Sequence, residues 1–251
     1  RRSRCSAVGS MRATITAADA GDADALAALS AQVERLTAEE RVAWGLRNLP
    51  GPVTLSSSFG AQAAVALHLV SQLAPSIPVI LIDTQYLFPE TYRFVDELTS
   101  RLNLNLHVFS SLQSRERLEA TYGRLWEQGE TAISQYNELT KLEPFRRALS
   151  ELGVRSWIAG LRRSQATSRR NVGALERLDG RFKLHPIVDW TDRDIGAYLR
   201  RHHLPYHPLW ERGYVSIGDW TTTRSLADAG SEQQTRFFGL RRECGLHGLA
   251  G

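Results

Sequence analysis

The sequence predicts an α/β fold: a doubly wound, mostly parallel sheet with helices on both faces. Two observations carry this reading. Short β-prone runs alternate with helical stretches along most of the chain. One of those runs, "IPVILIDT", is continuously apolar between Pro78 and Asp83, the pattern of a strand buried on both sides. A chain of 251 residues, 42% hydrophobic and 23% charged, has enough apolar side chains for the core such a sheet needs.

The elements follow in order. "DADALAALSAQVERLTAEERVAWGLRNL" reads as helical, with Leu26, Leu29, Val33, Leu36, Val42 and Leu46 at helix-compatible intervals. Gly51 and Pro52 end it. "VTLSSSFG" is then a short strand running into a serine- and glycine-rich loop, and "AQAAVALHLVSQLA" an apolar helix to lie against the sheet. After "IPVILIDT", "FPETYRFVDELTSRL" is a helix with Pro89 in its first turn, where the missing N–H costs nothing. "NLNLHVFS" and "VRSWIAGL" read as further strands. "FKLHPIVDW" holds one more short strand, before a capped helix starting near Thr191. From about Gly213 periodicity fades, and the segment reads as a loop-rich, mobile tail. Residues 1–10 precede the first methionine and read as an upstream extension. Residues 11–212 are the α/β domain, and residues 213–251 a C-terminal segment.

Composition narrows the function. No apolar run approaches a membrane span, and no apolar stretch follows the N-terminal arginines as a secretory signal requires. A net charge of +4, with no basic stripe interleaved with aromatics, does not mark a nucleic-acid binder. Two cysteines, Cys5 in the extension and Cys244 near the C-terminus, provide neither a disulfide framework nor a four-thiolate metal site. A reducing, cytoplasmic compartment is expected.

Three strand ends carry polar groups, and in open α/β sheets ligands bind beyond the C-terminal ends of the strands. After the first strand come Ser56, Ser57 and Ser58, with Gly60 to permit an unusual backbone angle and a following helix to point its N–H groups at an anion. Such a loop also serves merely to cap a helix. At the end of "IPVILID" stands Asp83, which reads equally as an N-cap. After "WIAG", with Gly160 at its end, come Arg162, Arg163 and Arg169, an ordinary solvated face or a pocket for several negative charges. Taken together they describe a nucleotide site with extra negative charge. Cys244 stands in "RRECGLH", where Arg241, Arg242 and His247 favour the thiolate and Glu243 opposes it.

"SSSFGAQAAVALHLV", "IPVILIDTQYLFPETYRFVDEL", "YGRLWEQG", "AGLRRSQ", "YHPLWERGY" and "TRFFGLRRECGLH" together resemble the assimilatory phosphoadenylyl-sulfate reductases, from roughly Ala38 to His247. The resemblance implies an adenine-nucleotide α-hydrolase-like fold, with "SSSFGAQ" as a modified pyrophosphate loop. It implies reduction of 3′-phosphoadenosine 5′-phosphosulfate (PAPS) to sulfite and adenosine 3′,5′-bisphosphate. Electrons come from thioredoxin or glutaredoxin, no cofactor is bound, and the usual assembly is a homodimer. Cys244 matches the nucleophile. Ser56, Ser58 and Gly60 match the phosphosulfate loop, Ile82, Asp83 and Thr84 the adenosine-side strand end, and Arg162, Arg163 and Arg169 the arginine motif. Lys141, Arg236, Arg241, Arg242 and His247 are the candidate countercharges to the sulfonate oxygens.

The nearest rival is adenylyl-sulfate (APS) reductase, a relative holding a four-iron–four-sulfur cluster between two cysteine pairs. Here Tyr136 and Asn137 occupy the first pair's positions, and Asp219 and Thr222 the second's, so no thiolate-held cluster is expected. A cluster-free enzyme using the simpler nucleotide, an ATP-pyrophosphatase and a nucleotide sensor are the other readings. The chain departs from the family pattern at "GDWTTTR", where Trp220 and Thr221 replace a smaller residue and a histidine, and at Ser164, where an acidic residue is usual.

Overall fold

A computed structural model describes residues 23–240 of the chain. The long N-terminal helical stretch is two helices, Ala23–Glu34 (α1) and Ala38–Asn48 (α2). The break is local chemistry. The Thr37 hydroxyl accepts from the Glu40 N–H (3.2 Å) and the Glu40 carboxylate accepts from the Thr37 N–H (2.9 Å), a capping box that starts a new helix. Arg41, buried at the start of α2, ties both helices to the far side of the domain. It donates to the carbonyls of Val33 (3.3 Å), Glu34 (2.5 Å) and Pro186 (2.9 Å), and forks onto Asp189 at 2.6 and 2.8 Å.

Strands and helices then alternate as expected: Val53–Ser56 (β1), Ala63–Leu73 (α3), Pro78–Asp83 (β2), Pro89–Leu102 (α4), Asn105–Ser110 (β3), Arg115–Tyr122 (α5) and Glu130–Asn137 (α6). A π-helical turn, Glu138–Leu142, leads into Glu143–Glu151 (α7), followed by Ser156–Ala159 (β4). The sequence reading missed Leu175–Leu178 (β5), which forms an antiparallel hairpin with Arg181–Leu184 (β6). Asp192–Arg201 (α8) starts from Thr191, as expected, with a capping box to Asp194. Leu226–Ala229 (α9) is a single turn.

The sheet runs β3-β2-β1-β4-β6-β5, parallel throughout except for the last pair. Alternation within strands divides the core. Val79 and Leu81 join Leu55 and Ile158 on the face covered by α2, α3, α4 and α8, while Ile80, Trp157 and Ala159 meet Phe145 and Leu149 of α7 on the other. At about 1.5–3 kcal/mol per buried aliphatic side chain, this register outweighs any single polar contact at the strand ends.

From β1 the chain winds outward to β2 and β3, then returns to β4 on the other side of β1. The strand order therefore reverses between β1 and β4, which opens a crevice beyond their C-terminal ends. Residues 213–240 hold only short helical turns and are anchored against the segment that follows β2. Asp219 bridges Leu87, the Trp220 N–H donates to the Tyr86 carbonyl (2.9 Å), Thr223 bridges Arg236, and Phe237 is fully buried. The last residues of the tail lie outside the described residues. No helix among the described residues is long and apolar enough to cross a membrane.

Candidate active site

The serine loop leaves β1 at the reversal point. Ser56 ends the strand, its hydroxyl 3.4 Å from the Ile158 carbonyl of β4, and the Ser57 N–H still pairs with the Ile80 carbonyl of β2 (3.0 Å). The chain then turns sharply. The turn's unusual backbone angle falls on Phe59 (φ 48°) and not on Gly60, where the sequence suggested it. A left-handed phenylalanine is costly, and full burial of its ring holds it there. Ser58 remains exposed, and Ser56 and Ser57 half-buried. The helix behind them, α3, begins with no side-chain cap from Gln62; its Ala63 N–H donates instead to the Gly60 carbonyl (3.1 Å) and its Val65 N–H to the Gln62 carbonyl (3.2 Å).

Gly160 is where the sheet and α3 meet most closely. A Cβ there would stand 2.8 Å from the Cβ of Ala66, so only glycine lets the helix behind the serine loop seat against the end of β4. Just beyond, Arg162 is buried and stretched across the crevice's edge. It donates to Asp192 (2.9 Å), the Trp190 carbonyl (3.3 Å) and the Ser164 hydroxyl (2.9 Å), and to the Gln62 side chain. Arg163 does not reach the same crevice. Its guanidinium forks onto Glu34 at the end of α1 (2.5 and 2.8 Å), and its Nε donates to the Val172 carbonyl (2.8 Å). A bidentate carboxylate is the preferred partner of that planar fork. The hydrogen bond from Arg163 holds the Glu34 carboxyl below the usual carboxylate range against its partial burial. Arg169 donates to Gln165 (2.6 Å) within the arginine loop.

At the end of β2, Asp83 is not a helix cap. Its carboxylate accepts from the Gln85 N–H and the Tyr92 hydroxyl, both at 2.8 Å, and closes a tight turn with Gln85 in the left-handed region. Ile82 packs under it in the α7-side core. Thr84 points to a buried polar centre that the sequence reading did not identify. Asp219, only 1% exposed, accepts from the Thr84 hydroxyl (2.6 Å) and the Tyr136 hydroxyl (2.8 Å), and pairs with Lys141 Nζ (2.6 Å). Burial pushes the Asp219 carboxyl up, but the Lys141 charge and hydrogen bond, the Thr84 hydroxyl and the nearby Arg236 charge outweigh it. The group is held below its usual range, as an anion. Burial and that same anion push the Tyr136 phenol well up, so it stays a donor. Lys141, expected as a sulfonate countercharge, is thus already paired. Arg236 lies over the Phe237 ring (5.2 Å), which Lys141 also faces (5.1 Å).

Serine loop, Asp83 turn, Arg162 and the Asp219 centre thus stand at the ends of neighbouring strands. Cys244, Arg241, Arg242 and His247 lie outside the described residues. Beyond the sequence reading, the structure adds Gln62 and Asp192 as holders of Arg162, and Asp219 and Tyr136 as the centre's acid and its donor. The signals available in the sequence were an aspartate after glycine in an otherwise threonine-rich loop, and the standing of Tyr136 and Asp219 where adenylyl-sulfate reductases carry cysteine pairs.

Comparison with known proteins bears on this arrangement. The family described as phosphoadenosine phosphosulfate reductase domain matches residues 52–225. The chain is 59% identical over 235 residues to a phosphoadenosine 5′-phosphosulfate reductase of Xanthomonas oryzae pv. oryzae, covering 94% of this chain and 96% of the relative. It is 61% identical over 218 residues to the enzyme so named in Alkalilimnicola ehrlichii, covering 87% and 89%. Among solved structures, the phosphate complex of phosphoadenylyl-sulfate reductase from Candida auris superposes with a TM-score of 0.70 at 29% identity, over 81% of this chain and 98% of that one. An FMN adenylyltransferase of Candida glabrata shares the fold alone (TM-score 0.56, 18% identity, 79% of this chain and 66% of that one). With a family match across most of its length and relatives near 60% identity, the chain belongs to the phosphoadenosine phosphosulfate reductase family.

Proposed function

We propose that the chain reduces 3′-phosphoadenosine 5′-phosphosulfate to sulfite and adenosine 3′,5′-bisphosphate, for sulfate assimilation and cysteine biosynthesis. The observation that carries this reading is the meeting of the serine loop, Gly160 and Arg162 at the β1/β4 reversal, where an open α/β sheet receives a nucleotide. In this reading the serine hydroxyls and the positive end of the α3 dipole face the phosphosulfate. Ile82, Asp83 and Thr84 border the adenosine side, and the arginine loop opposes the additional phosphate. Arg236, with Arg241, Arg242 and His247 of the terminal segment, opposes the charge of the sulfonate oxygens.

The Cys244 thiolate attacks the sulfate sulfur. A bond forms from Sγ to sulfur, the bond from sulfur to the bridging phosphate oxygen breaks, and adenosine 3′,5′-bisphosphate leaves with that oxygen. A thiolate of reduced thioredoxin or glutaredoxin then attacks Sγ of the S-sulfocysteine, and sulfite departs with the bonding electron pair. The donor's second thiol resolves the mixed disulfide, so a dithiol is oxidised to a disulfide as sulfur falls from +6 to +4. A homodimer in the cytoplasm, with no bound cofactor, completes the reading. Cys244→Ser is expected to bind adenosine 3′,5′-bisphosphate with unchanged affinity and to release no sulfite. Calorimetry and a sulfite assay check the two halves, and sulfite release persisting in the variant contradicts the assignment of the nucleophile.

A further inference from the structure

Thr84 and Arg236 of the proposed site, and Lys141, which the sequence offered as a sulfonate countercharge, come from separate stretches of chain and converge on Asp219, a side chain with no role in the chemistry above. Asp219 accepts from Thr84 (2.6 Å) and Tyr136 (2.8 Å) and pairs with Lys141 (2.6 Å). Its own backbone bridges Leu87, and the next N–H, of Trp220, donates to the Tyr86 carbonyl (2.9 Å). One carboxylate thus joins the end of β2, the α6–α7 junction and the C-terminal segment. On its N-terminal side, Gly218 leaves the space that the Arg236 guanidinium occupies: a Cβ there would stand 2.6 Å from Cζ.

We propose that Asp219 is a positioning residue for sulfonate transfer. It holds the Lys141 ammonium in place and docks the segment carrying Arg236 beside the end of β2. The inference rests on the functional reading above. A buried ion pair adds little stability over well-packed apolar residues, so its presence calls for another account. The surroundings are not tuned for stability either. Asn137 accepts from Lys141 through Oδ1 (3.1 Å), but its Nδ2, the hydroxyls of Thr222 and Thr223, and Arg236 Nε are buried here without hydrogen-bond partners among the described residues. Polarity has been kept at this point at a cost, next to residues proposed to face a polyanion.

The test is a single-turnover experiment without reductant. Full-length wild type, Asp219→Asn and Tyr136→Phe are mixed with PAPS, and the mass gain of S-sulfonation at Cys244 is followed in time. Affinity for adenosine 3′,5′-bisphosphate and the thermal midpoint are measured alongside. Asp219→Asn keeps an acceptor for Thr84 but loses the charge that holds Lys141. It is expected to slow sulfonation about tenfold or more, with nucleotide affinity within about twofold of wild type. Tyr136→Phe changes no charge, keeps the fold if Asp219→Asn does not, and is expected to slow the same step about threefold. Sulfonation at the wild-type rate in a folded variant overturns the proposal. So does a rate that falls only in step with nucleotide affinity, which is the mark of a merely structural residue. Wild type that gains no sulfonate contradicts the functional reading itself, and the inference falls with it.

Discussion

Gly218 shows how one missing atom shapes the site. It faces the Arg236 guanidinium, whose Nη1 would stand 2.5 Å from an added Cβ. Because the obstructed group is the end of a flexible side chain, Gly218→Ala displaces the arginine rather than the backbone. Unfolding free energy is expected to change by less than about 1 kcal/mol, while kcat falls severalfold, because Arg236 is the group that moves. Denaturation and steady-state assays separate the two, and unchanged kcat contradicts the placement of Arg236 at the site. His207 carries a different consequence. It is fully buried, its Nδ1 accepts from the Leu209 N–H (3.1 Å), its Nε2 meets Thr91 Oγ1 (3.0 Å), and burial lowers its pKa to about 4. The unfolded chain takes up this proton near pH 6.5 and the folded one only near pH 4. The stabilisation is therefore complete above about pH 6.5 and is lost as pH falls toward 4, in total about 3 kcal/mol. Buried His185, lowered by desolvation despite its contact with Glu176, acts in the same direction. Urea denaturation is expected to show stability falling from about pH 7 to pH 5, and a flat or rising profile contradicts a neutral buried His207.

Among the elements, Arg41 has the widest reach. It joins α1, α2 and the 186–189 turn, and the Asp189 carboxyl is held low chiefly by its hydrogen bond. Arg41→Leu leaves three buried or half-buried carbonyls without this donor, and is expected to lower the unfolding free energy by about 2–3 kcal/mol in urea titration. An unchanged midpoint contradicts that accounting. What the sequence revealed follows the same lines of force. β2 and α3 were legible because their apolar character is local and continuous. The turn between α1 and α2 was not, because helical spacing of Leu29, Val33 and Leu36 runs up to a break made by two hydrogen bonds at Thr37 and Glu40. β5 was missed because its "LERL" carries two charges, one of which, Glu176, finds its partner only across the hairpin at His185. The serine loop, Asp83 and Arg162 were legible because they sit at strand ends that can be counted. The commitment of Arg163 to Glu34, and the convergence of Thr84, Tyr136 and Lys141 on Asp219, depend on pairings between distant stretches that no local pattern encodes.

For the whole molecule, winding order is what concentrates function. By sending β2 and β3 to one side of β1 and β4 to the other, the chain brings an uncapped helix start, a serine loop and an arginine to a single edge, and lays residues 213–240 against the segment that follows β2. In the proposed function the arginine loop at this edge reads the extra 3′-phosphate. The measurement that tests this most directly is sulfite release by the purified protein with reduced thioredoxin, comparing PAPS with the same nucleotide lacking its 3′-phosphate. The account predicts a strong preference for PAPS in kcat/KM. Equal or better use of the simpler nucleotide would contradict it.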